Sequence, residues 1–371
     1  MNKTKAILIT TLPPPIHGSA MVSQFIKDSK LINDEFDMDF INLSTSRKMD
    51  EIGKTSPLLL LKKLGRFILS FIYCFWLLLT NKYELCYCAI TCHGTGFLKD
   101  TPFVLLCKLF RLKVVIHQHN KGMSKCVDKW PYRWLLPLVY SNTKVMLLSW
   151  YLYDDISKIV SRNQILICPN GIPKITHNVD SVEKNNTIPR LLFLSNLVES
   201  KGVFVLLDAC KILKDKGYSF VCDFVGGETK EITRIEFENA ILSRCLTYNV
   251  QYHGPKYGLE KEFFWNTCDI FVQPTFEDCF PLTIIEAMQH KLPVVSTTEG
   301  AIRDMVKDGE NGFICNRYDA EALADALEKM ISNKHLRFEM GIKGYEMYKK
   351  CFTLDVFEKR IKDIFVECKH L

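Results

Sequence analysis

The sequence predicts an α/β fold with two doubly wound parallel sheets. Three observations support this prediction. The chain has 371 residues, which is long for a single core. Short apolar runs alternate with helical patterns in both halves, and a polar stretch separates the halves. Hydrophobic residues form 47% of the chain and charged residues 24%, proportions that argue against a disordered or polytopic membrane protein.

The first half of the chain alternates strand and helix patterns from its first residues. We predict a domain over residues 1–174, because such alternation is typical of a parallel sheet. Its predicted strands are residues 6–11, 85–91, 114–117, 145–149 and 165–169.

A polar segment, residues 174–189, predicts a linker to a second α/β domain, and we place the boundary so that this domain covers residues 175–352. Residues 353–371 form a C-terminal helix that we expect to return toward the first domain. The predicted strands of the second half are residues 190–195, 220–226 and 269–274. Its predicted helices are residues 202–217, 260–267 and 282–290 and, after the run 293–296, residues 320–333 and 336–367.

The N-terminal residues and the cysteines indicate a reducing compartment. The first residues lead straight into an apolar strand pattern without a secretory signal, so we expect a cytoplasmic protein whose fifteen cysteines form no disulfides. The spacing of Cys86, Cys88, Cys92 and His93 matches no ordinary zinc site, and we expect no metal. We also expect no nucleic-acid partner.

The positive charge of the chain lies in its first half. Residues 1–170 contain 22 Lys and Arg against 12 Asp and Glu. Within this half, residues 67–79 are almost entirely apolar, but as a helix they span only about 20 Å of a hydrocarbon core of roughly 30 Å. Together with Lys62, Lys63 and Arg66, the wider segment 58–80 predicts either a basic amphipathic helix on an anionic bilayer or a buried crossover helix.

The strongest motif is the run of residues 271–288, in which a strand leads through an acidic turn into a helix with a further carboxylate. Such a turn presents backbone amides and the positive end of a helix, which together stabilise a bound diphosphate. This run resembles glycosyltransferase family 4, the glycosyl transferases of group 1. The resemblance extends in matching order over nearly the whole chain.

The resemblance implies roles for the residues of this motif. Glu286 would hold the ribose hydroxyls of a nucleotide-sugar donor. The first acid would hold the donor sugar; the family's spacing of seven residues between its two acids indicates Asp278, with Glu277 as the alternative. The turn amides that would assist are those of Cys279, Phe280 and Leu282.

A second match is residues 194–202, a strand followed by a loop that opens a helix. The resemblance implies that Lys201 binds the donor diphosphate, where a cation neutralises the charge of the departing nucleotide. Asn196 stands where the family usually has an arginine. It could hydrogen-bond a phosphate, but it brings no positive charge.

The first half contains further candidate residues at the ends of predicted strands, where open α/β sheets bind ligands. Gly18 would let the backbone approach the donor, and His119 matches the histidine that the family places near the reacting sugar. His117 fits a core histidine better. His17 and Asp100 are candidates on the acceptor side. No G-x-G-x-x-G motif follows the first strand, which argues against an oxidoreductase.

The resemblance implies the GT-B fold, two Rossmann-like doubly wound domains that face a central cleft. It further implies a retaining, metal-independent glycosyltransferase of hexosyl or N-acetylhexosaminyl type, without a cofactor, that uses a UDP- or GDP-linked sugar. We expect a glycan or lipid-linked acceptor in bacterial surface polysaccharide biosynthesis, with peripheral contact at the inner face of the plasma membrane. The alternatives are a non-catalytic nucleotide-sugar-binding subunit and a sugar-nucleotide epimerase of the same fold.

Overall fold

The computed structural model of the protein describes residues 3–14, 18–44, 56–175 and 186–369. The chain divides into two compact units: Met1–Gly171 together with Leu354–Leu371, and Ile172–Thr353. Within the described ranges, each unit contains one six-stranded sheet in which all paired strands are parallel.

The strands of the described residues follow in chain order. They are β1 (Thr4–Thr10), β2 (Phe36–Asn42), β3 (Leu85–Cys88), β4 (Lys113–Gln118), β5 (Lys144–Leu147), β6 (Ile165–Ile167), β7 (Arg190–Leu194), β8 (Val221–Val225), β9 (Val250–Tyr252), β10 (Ile270–Gln273), β11 (Val294–Thr297) and β12 (Gly312–Cys315).

The α-helices of the same ranges alternate with these strands. They are α1 (Gly18–Asp28), α2 (Lys30–Asn33), α3 (Pro57–Thr80), α4 (Gly94–Leu109), α5 (Tyr132–Tyr140), α6 (Val203–Asp215), α7 (Arg234–Ser243), α8 (Gly258–Thr267), α9 (Leu282–Gln289), α10 (Ile302–Met305), α11 (Ala320–Ser332), α12 (Lys334–Cys351) and α13 (Leu354–Lys369).

The sheet of the first unit has helices on both faces. Its strand order is β2-β1-β3-β4-β5-β6. Strand β2 is therefore added on one side of β1 and β3 to β6 on the other, which places the topological switch point between β1 and β3. Residues of α3, α4 and α5, such as Cys74, Phe103 and Leu136, form one core with one face of the sheet. Residues of α1, α2 and α13, such as Val22 and Phe365, cover the other face. Burial on both faces explains why these strands are almost continuously apolar.

The sheet of the second unit repeats this design. Its strand order is β12-β11-β10-β7-β8-β9, and the topological switch point falls between the neighbouring parallel strands β7 and β10. One core joins these strands to α6, α7 and α11 through residues such as Phe193, Leu206 and Leu327. Helices α9 and α12 pack against each other. The switch between β7 and β10 is the place where open parallel sheets usually bind ligands.

Four strands escape the sequence prediction, and one predicted helix is wrong. Strand β11 overlaps the run 293–296, strand β2 interrupts its apolar residues with two aspartates, and β9 and β12 have only three and four residues. The predicted helix over residues 336–367 is two helices, α12 and α13. The chain between them pairs with Ile172: the Ile172 amide donates to the Phe352 carbonyl at 3.0 Å, and Thr353 forms a bridge to Ile172. This pairing requires extended backbone, which ends α12.

Helix α3 matches the predicted helical segment 58–80 to within one residue and has two different faces. Cys74, Leu77 and Leu78 are buried against the first unit's core, while many other apolar residues of α3 are exposed. None of the described helices is both long and apolar enough to cross a bilayer. Most of the fifteen cysteines are buried in the two units. Residues 176–185 of the predicted linker lie outside the described residues.

Candidate functional site

The main candidate site lies at the carboxyl ends of β7 and β10. Strand β7 leads through a short 3-10 turn, Glu199–Lys201, into α6, and β10 leads through residues 274–281 into α9. Since β7 and β10 are parallel neighbours, both helices begin at the same edge of the sheet. Two helix N-termini therefore make this edge electropositive, as a bound anion requires.

Lys201 and Asp278 are brought into direct contact at this edge. The Lys201 Nζ atom lies 2.6 Å from Asp278 Oδ2 and donates to the Glu277 carbonyl oxygen at 3.0 Å. The two side chains of the ion pair are only 24% and 18% exposed. The Glu277 residue is exposed, so the geometry selects Asp278 as the acid that faces the lysine.

The lysine loop is held on the acidic turn by backbone contacts. The Phe276 amide and the Thr275 hydroxyl both donate to the Ser200 carbonyl, at 2.9 and 3.0 Å. Gly202 has φ +79°, and a Cβ atom there would lie 2.1 Å from the Pro274 carbonyl oxygen. Only glycine lets the chain turn so close to this strand end, which fixes where Lys201 points.

A buried acid that the sequence did not reveal supports the turn from the other side. Glu299 is 2% exposed, accepts the Asp278 amide at 3.3 Å and pairs with Arg317 at 3.0 Å. The Ala301 amide donates to the Cys279 carbonyl at 2.9 Å. Glu299 is the second residue after the end of β11, and this position near a strand end is the signal that could have identified it.

The predicted ligand amides of the turn differ in their surroundings. The Phe280 amide donates to Asp278 Oδ1 at 3.2 Å, and the Phe280 side chain is buried. In this structure the amide is bonded within the turn, and its role as a ligand donor stays a prediction. Leu282 begins α9, and the N-cap residue Pro281 has no side-chain oxygen to bond the first-turn amides. Cys279 is half-buried between them.

Glu286 lies on α9 with its own cationic partner. Its carboxylate is bound by Lys261 of α8, whose Nζ atom lies 2.8 Å from Oε1 and 2.7 Å from Oε2. The carboxylate is 25% exposed. Lys261 is a second residue that sequence reasoning missed. No motif spacing links it to Glu286, because the two residues meet only through the packing of α8 beside α9.

Asn196 lies in the loop after β7. Its Oδ1 atom accepts the Gly227 amide at 3.0 Å, which ties this loop to the loop after β8. Because the side-chain oxygen of Asn196 makes this bond, its NH₂ group points away from Gly227. An NH₂ group can donate a hydrogen bond to a phosphate oxygen. The residue is exposed and within the same unit as Lys201.

In the first unit, the candidate residues surround the carboxyl ends of β1, β3 and β4. Gly18 is the exposed first residue of α1, and His17 lies outside the described residues. Asp100 of α4 is buried, and its Oδ2 atom accepts the Thr91 amide at 3.0 Å. Burial raises the pKa of the Asp100 carboxyl above its usual range. This placement gives Asp100 a role in holding the loop after β3.

The two histidines at the end of β4 lie together, with ring centroids 4.0 Å apart. His117 is completely buried and hydrogen-bonds the Tyr87 hydroxyl through Nδ1 at 2.8 Å. Burial, with His119 beside it, lowers the pKa of His117 well below its usual value, so its ring is neutral. His119 is partly exposed one step further along the loop.

Asp155 organises the loop that follows His119. Its carboxylate accepts the amides of Gly122, Met123 and Ser124 at 2.8, 3.0 and 3.1 Å, and the Ser124 hydroxyl at 2.6 Å. Burial opposes ionisation of this carboxyl, but these hydrogen bonds outweigh burial and lower its pKa. The first unit thus has a well-fixed loop at its strand ends. Among the described residues, no group of three or more His, Cys, Asp or Glu is arranged to hold a metal ion.

Comparison with known proteins shows what part of this chain is similar to a known family. Residues 174–347 match the family described as Glycosyl transferases group 1. A capsular polysaccharide biosynthesis glycosyltransferase, CapM of Staphylococcus aureus, is 26% identical over 223 residues, which are 56% of this chain and 57% of the relative. The chain therefore spans just over half the length of this curated relative.

Solved structures are similar over almost the full length. HepE of Anabaena, solved in complex with UDP, has a TM-score of 0.75 at 14% identity and covers 98% of this chain and 100% of its own. Sucrose-phosphate synthase of Thermosynechococcus elongatus has a TM-score of 0.73 at 15% identity, with 98% and 99% covered. The predicted fold class, α/β of the GT-B type, is confirmed by the two parallel sheets and these neighbours.

Proposed function

We propose, from the match of residues 174–347 to the glycosyl transferases of group 1, that this protein transfers a sugar from a nucleoside diphosphate sugar to a glycan or lipid-linked glycan. The observation that supports this most strongly is the Lys201–Asp278 pair. A partly buried cation lies at an edge where two helices begin, in contact with a carboxylate that a diphosphate could replace.

In this proposal, the leaving diphosphate takes the place of Asp278 as the partner of Lys201. Lysine and the first-turn amides of α9 then stabilise the charge that grows on the phosphate as the glycosidic bond breaks. Asp278, released from the lysine, becomes able to accept a hydrogen bond from a donor-sugar hydroxyl. Charge stabilisation rests on these groups, so the proposed reaction uses no metal ion or other cofactor.

Glu286 is proposed to accept hydrogen bonds from the ribose hydroxyls, with Lys261 fixing its orientation. His119 is proposed to hydrogen-bond the donor sugar. We propose retention of anomeric configuration, with a donor phosphate oxygen taking the acceptor proton. UDP is the first candidate nucleotide because a structural neighbour was solved with it, and GDP is the second.

The acceptor is proposed to be a lipid-linked glycan at the inner face of the plasma membrane. The excess of Lys and Arg in residues 1–170 suits an anionic lipid diphosphate or an anionic bilayer surface. The relative from capsular polysaccharide biosynthesis points to the same class of pathway. The transferred group is proposed to be a hexose or an N-acetylhexosamine.

The direct test is turnover by the purified protein with UDP- and GDP-sugars and a membrane glycolipid extract, followed by product analysis. We expect Glu286→Ala to lower kcat/KM at least about tenfold, which is about 1.4 kcal/mol of barrier. The matched control is Glu260→Ala, which removes an exposed acid from α8. Equal rates for wild type and Glu286→Ala would refute the site assignment.

Two other outcomes would replace the proposal with a different function. Nucleotide binding without turnover would indicate a binding subunit, an alternative suggested by Asn196 in place of a cation. An isomerised nucleotide sugar without transfer would indicate an epimerase.

A further inference from the structure

One face of α3 is apolar and points away from the core. A helix turns about 100° per residue, so six of its eleven exposed large apolar residues fall within about one quarter of its circumference. Each is between 54% and 69% exposed, and they are Leu58, Leu61, Leu69, Ile72, Trp76 and Leu79. The opposite side, with Cys74, is buried against the sheet. The exposed side is therefore not a core face of the first unit.

This apolar surface continues across the neighbouring helices. Helices α3, α4 and α5 contribute to the same core on one face of the first sheet, and they are called here the α3–α5 layer. Phe75 of α3 contacts Phe110, the residue after α4, with ring centroids 6.1 Å apart. Leu109 is 76% exposed beside it, and Trp134 and Leu138 of α5 are also exposed. Large apolar side chains thus face solvent on all three helices.

The charge of the layer has one sign. Helices α3, α4 and α5 contain six Lys and Arg and a single acid, Asp100, which is buried. Lys62 and Arg66, one turn apart, lie along one flank of the apolar side of α3, and Lys63 lies next to them, further from the apolar side. An exposed apolar stripe beside a row of cations, with no exposed acid in these segments, is the pattern of helices that lie in an anionic bilayer interface.

We propose that the α3–α5 layer is a lipid-binding surface and that α3 lies in the plane of an anionic membrane leaflet. Leu69, Ile72 and Trp76 enter the boundary between headgroups and acyl chains, while the flanking cations bind lipid phosphates. The uniform positive charge selects lipid over a second copy of the chain, because two such faces would repel each other. This inference rests on the proposed membrane contact and is independent of the transfer reaction.

The test is co-sedimentation of the full chain with vesicles of phosphatidylcholine alone and of equal parts phosphatidylcholine and phosphatidylglycerol. We expect strong binding to the anionic vesicles that weakens with salt. The double variant Leu69→Glu with Trp76→Glu should lower the partition coefficient at least about tenfold. The control, Ile235→Glu with Leu259→Glu, adds the same charge at exposed apolar positions of the second unit and should bind as wild type does.

A second measurement reports where Trp76 lies. Brominated acyl chains should quench its fluorescence, and the quenching should fall in Trp76→Phe to the part contributed by Trp134. Lys62→Gln with Lys63→Gln should reduce the preference for anionic over neutral vesicles without removing the quenching. UDP affinity and thermal midpoint, measured on the same samples, separate this surface from the donor site and from misfolding.

Three results would overturn the inference. They are a wild-type protein that binds neither vesicle, a Leu69→Glu with Trp76→Glu variant that binds as wild type does, and a wild-type dimer that this variant dissociates.

Discussion

Replacing Lys201 by methionine keeps the length of the side chain and removes its charge. In the structure the Nζ atom contacts Asp278 Oδ2 at 2.6 Å and the Glu277 carbonyl at 3.0 Å, and the side chain is 24% exposed. A hydrogen bond to a charged partner in such a setting contributes about 1.5 to 3 kcal/mol. If a diphosphate takes this bond, Lys201→Met should weaken nucleoside diphosphate binding by a factor of about 10 to 150.

The partner variant should behave differently. Asp278→Asn removes the carboxylate that competes with the diphosphate for Lys201, so diphosphate affinity should be unchanged or higher. Transfer should nevertheless fall, because the proposed sugar-hydroxyl acceptor is lost. The opposite directions of binding and turnover in this one variant are what the ion-pair exchange requires.

Titration calorimetry with UDP and GDP measures both effects. The control is Lys216→Met, which breaks more exposed ion pairs to Asp325 and Glu328 elsewhere in the same unit and should change affinity less than about twofold. Wild-type affinity in Lys201→Met, or loss of diphosphate binding in Asp278→Asn, would refute the reasoning.

Three further predictions concern the supports of the two sites. Gly202→Ala should lower the free energy of unfolding by more than about 2 kcal/mol in urea titration, because a Cβ meets the Pro274 carbonyl at 2.1 Å in left-handed backbone. Glu299→Gln should lower the free energy of unfolding by about 1 to 2 kcal/mol, because Arg317 loses its charged partner. The loss stays moderate since the Arg317 side chain keeps part of its contact with water. The stability of His117→Gln should depend less on pH than that of wild type. The folded pKa of His117 is depressed, so below about pH 6.5 only the unfolded state gains its proton, and wild-type stability falls by up to about 1.4 kcal/mol per pH unit.

Each of these predictions has a matched comparison. Gly217→Ala has similar backbone, φ +86°, but no described heavy atom lies within 4 Å of the added Cβ, so it should cost less than Gly202→Ala. Glu310→Gln removes an exposed acid and should be nearly neutral. His335→Gln removes an exposed histidine and should leave the wild-type pH dependence in place. Equal effects within any pair would contradict the corresponding mechanism.

Sequence patterns predicted the parts of the fold that depend on local apolar runs. Strands such as β1, β4, β7 and β10 each contain an uninterrupted apolar run because both of their faces are buried, and this pattern is visible without a structure. Strand β2 alternates aspartate with apolar residues at the sheet edge, and β9 has only three residues. Such strands form because a neighbouring strand pairs with them, and that cause lies outside their own sequence.

The site residues also divide into those that local sequence predicts and those that depend on neighbouring elements. Lys201 and Asp278 follow from motifs next to strand ends. Glu299 lies 21 residues after Asp278, and Lys261 lies 25 residues before Glu286, so their contacts depend on which loops and helices become neighbours. For α3, both interpretations of the sequence had a basis, because one face of the helix is buried and the other is exposed. Periodicity alone shows that two faces exist but not what covers each one.

Helix α13 makes the first unit discontinuous in the chain, which sets an order for biosynthesis. Phe365 of α13 packs edge-on against Phe36 of β2, with ring centroids 5.6 Å apart, and closes one apolar face of the first sheet. The ribosome makes β1 to β6 first, yet the part of this face that α1 and α2 do not cover stays open until residues 354–369 emerge. The second unit, a single stretch of chain, can finish folding earlier. The N-terminal segment thus waits as a nascent chain with exposed apolar surface, and chaperones are expected to bind it during that interval.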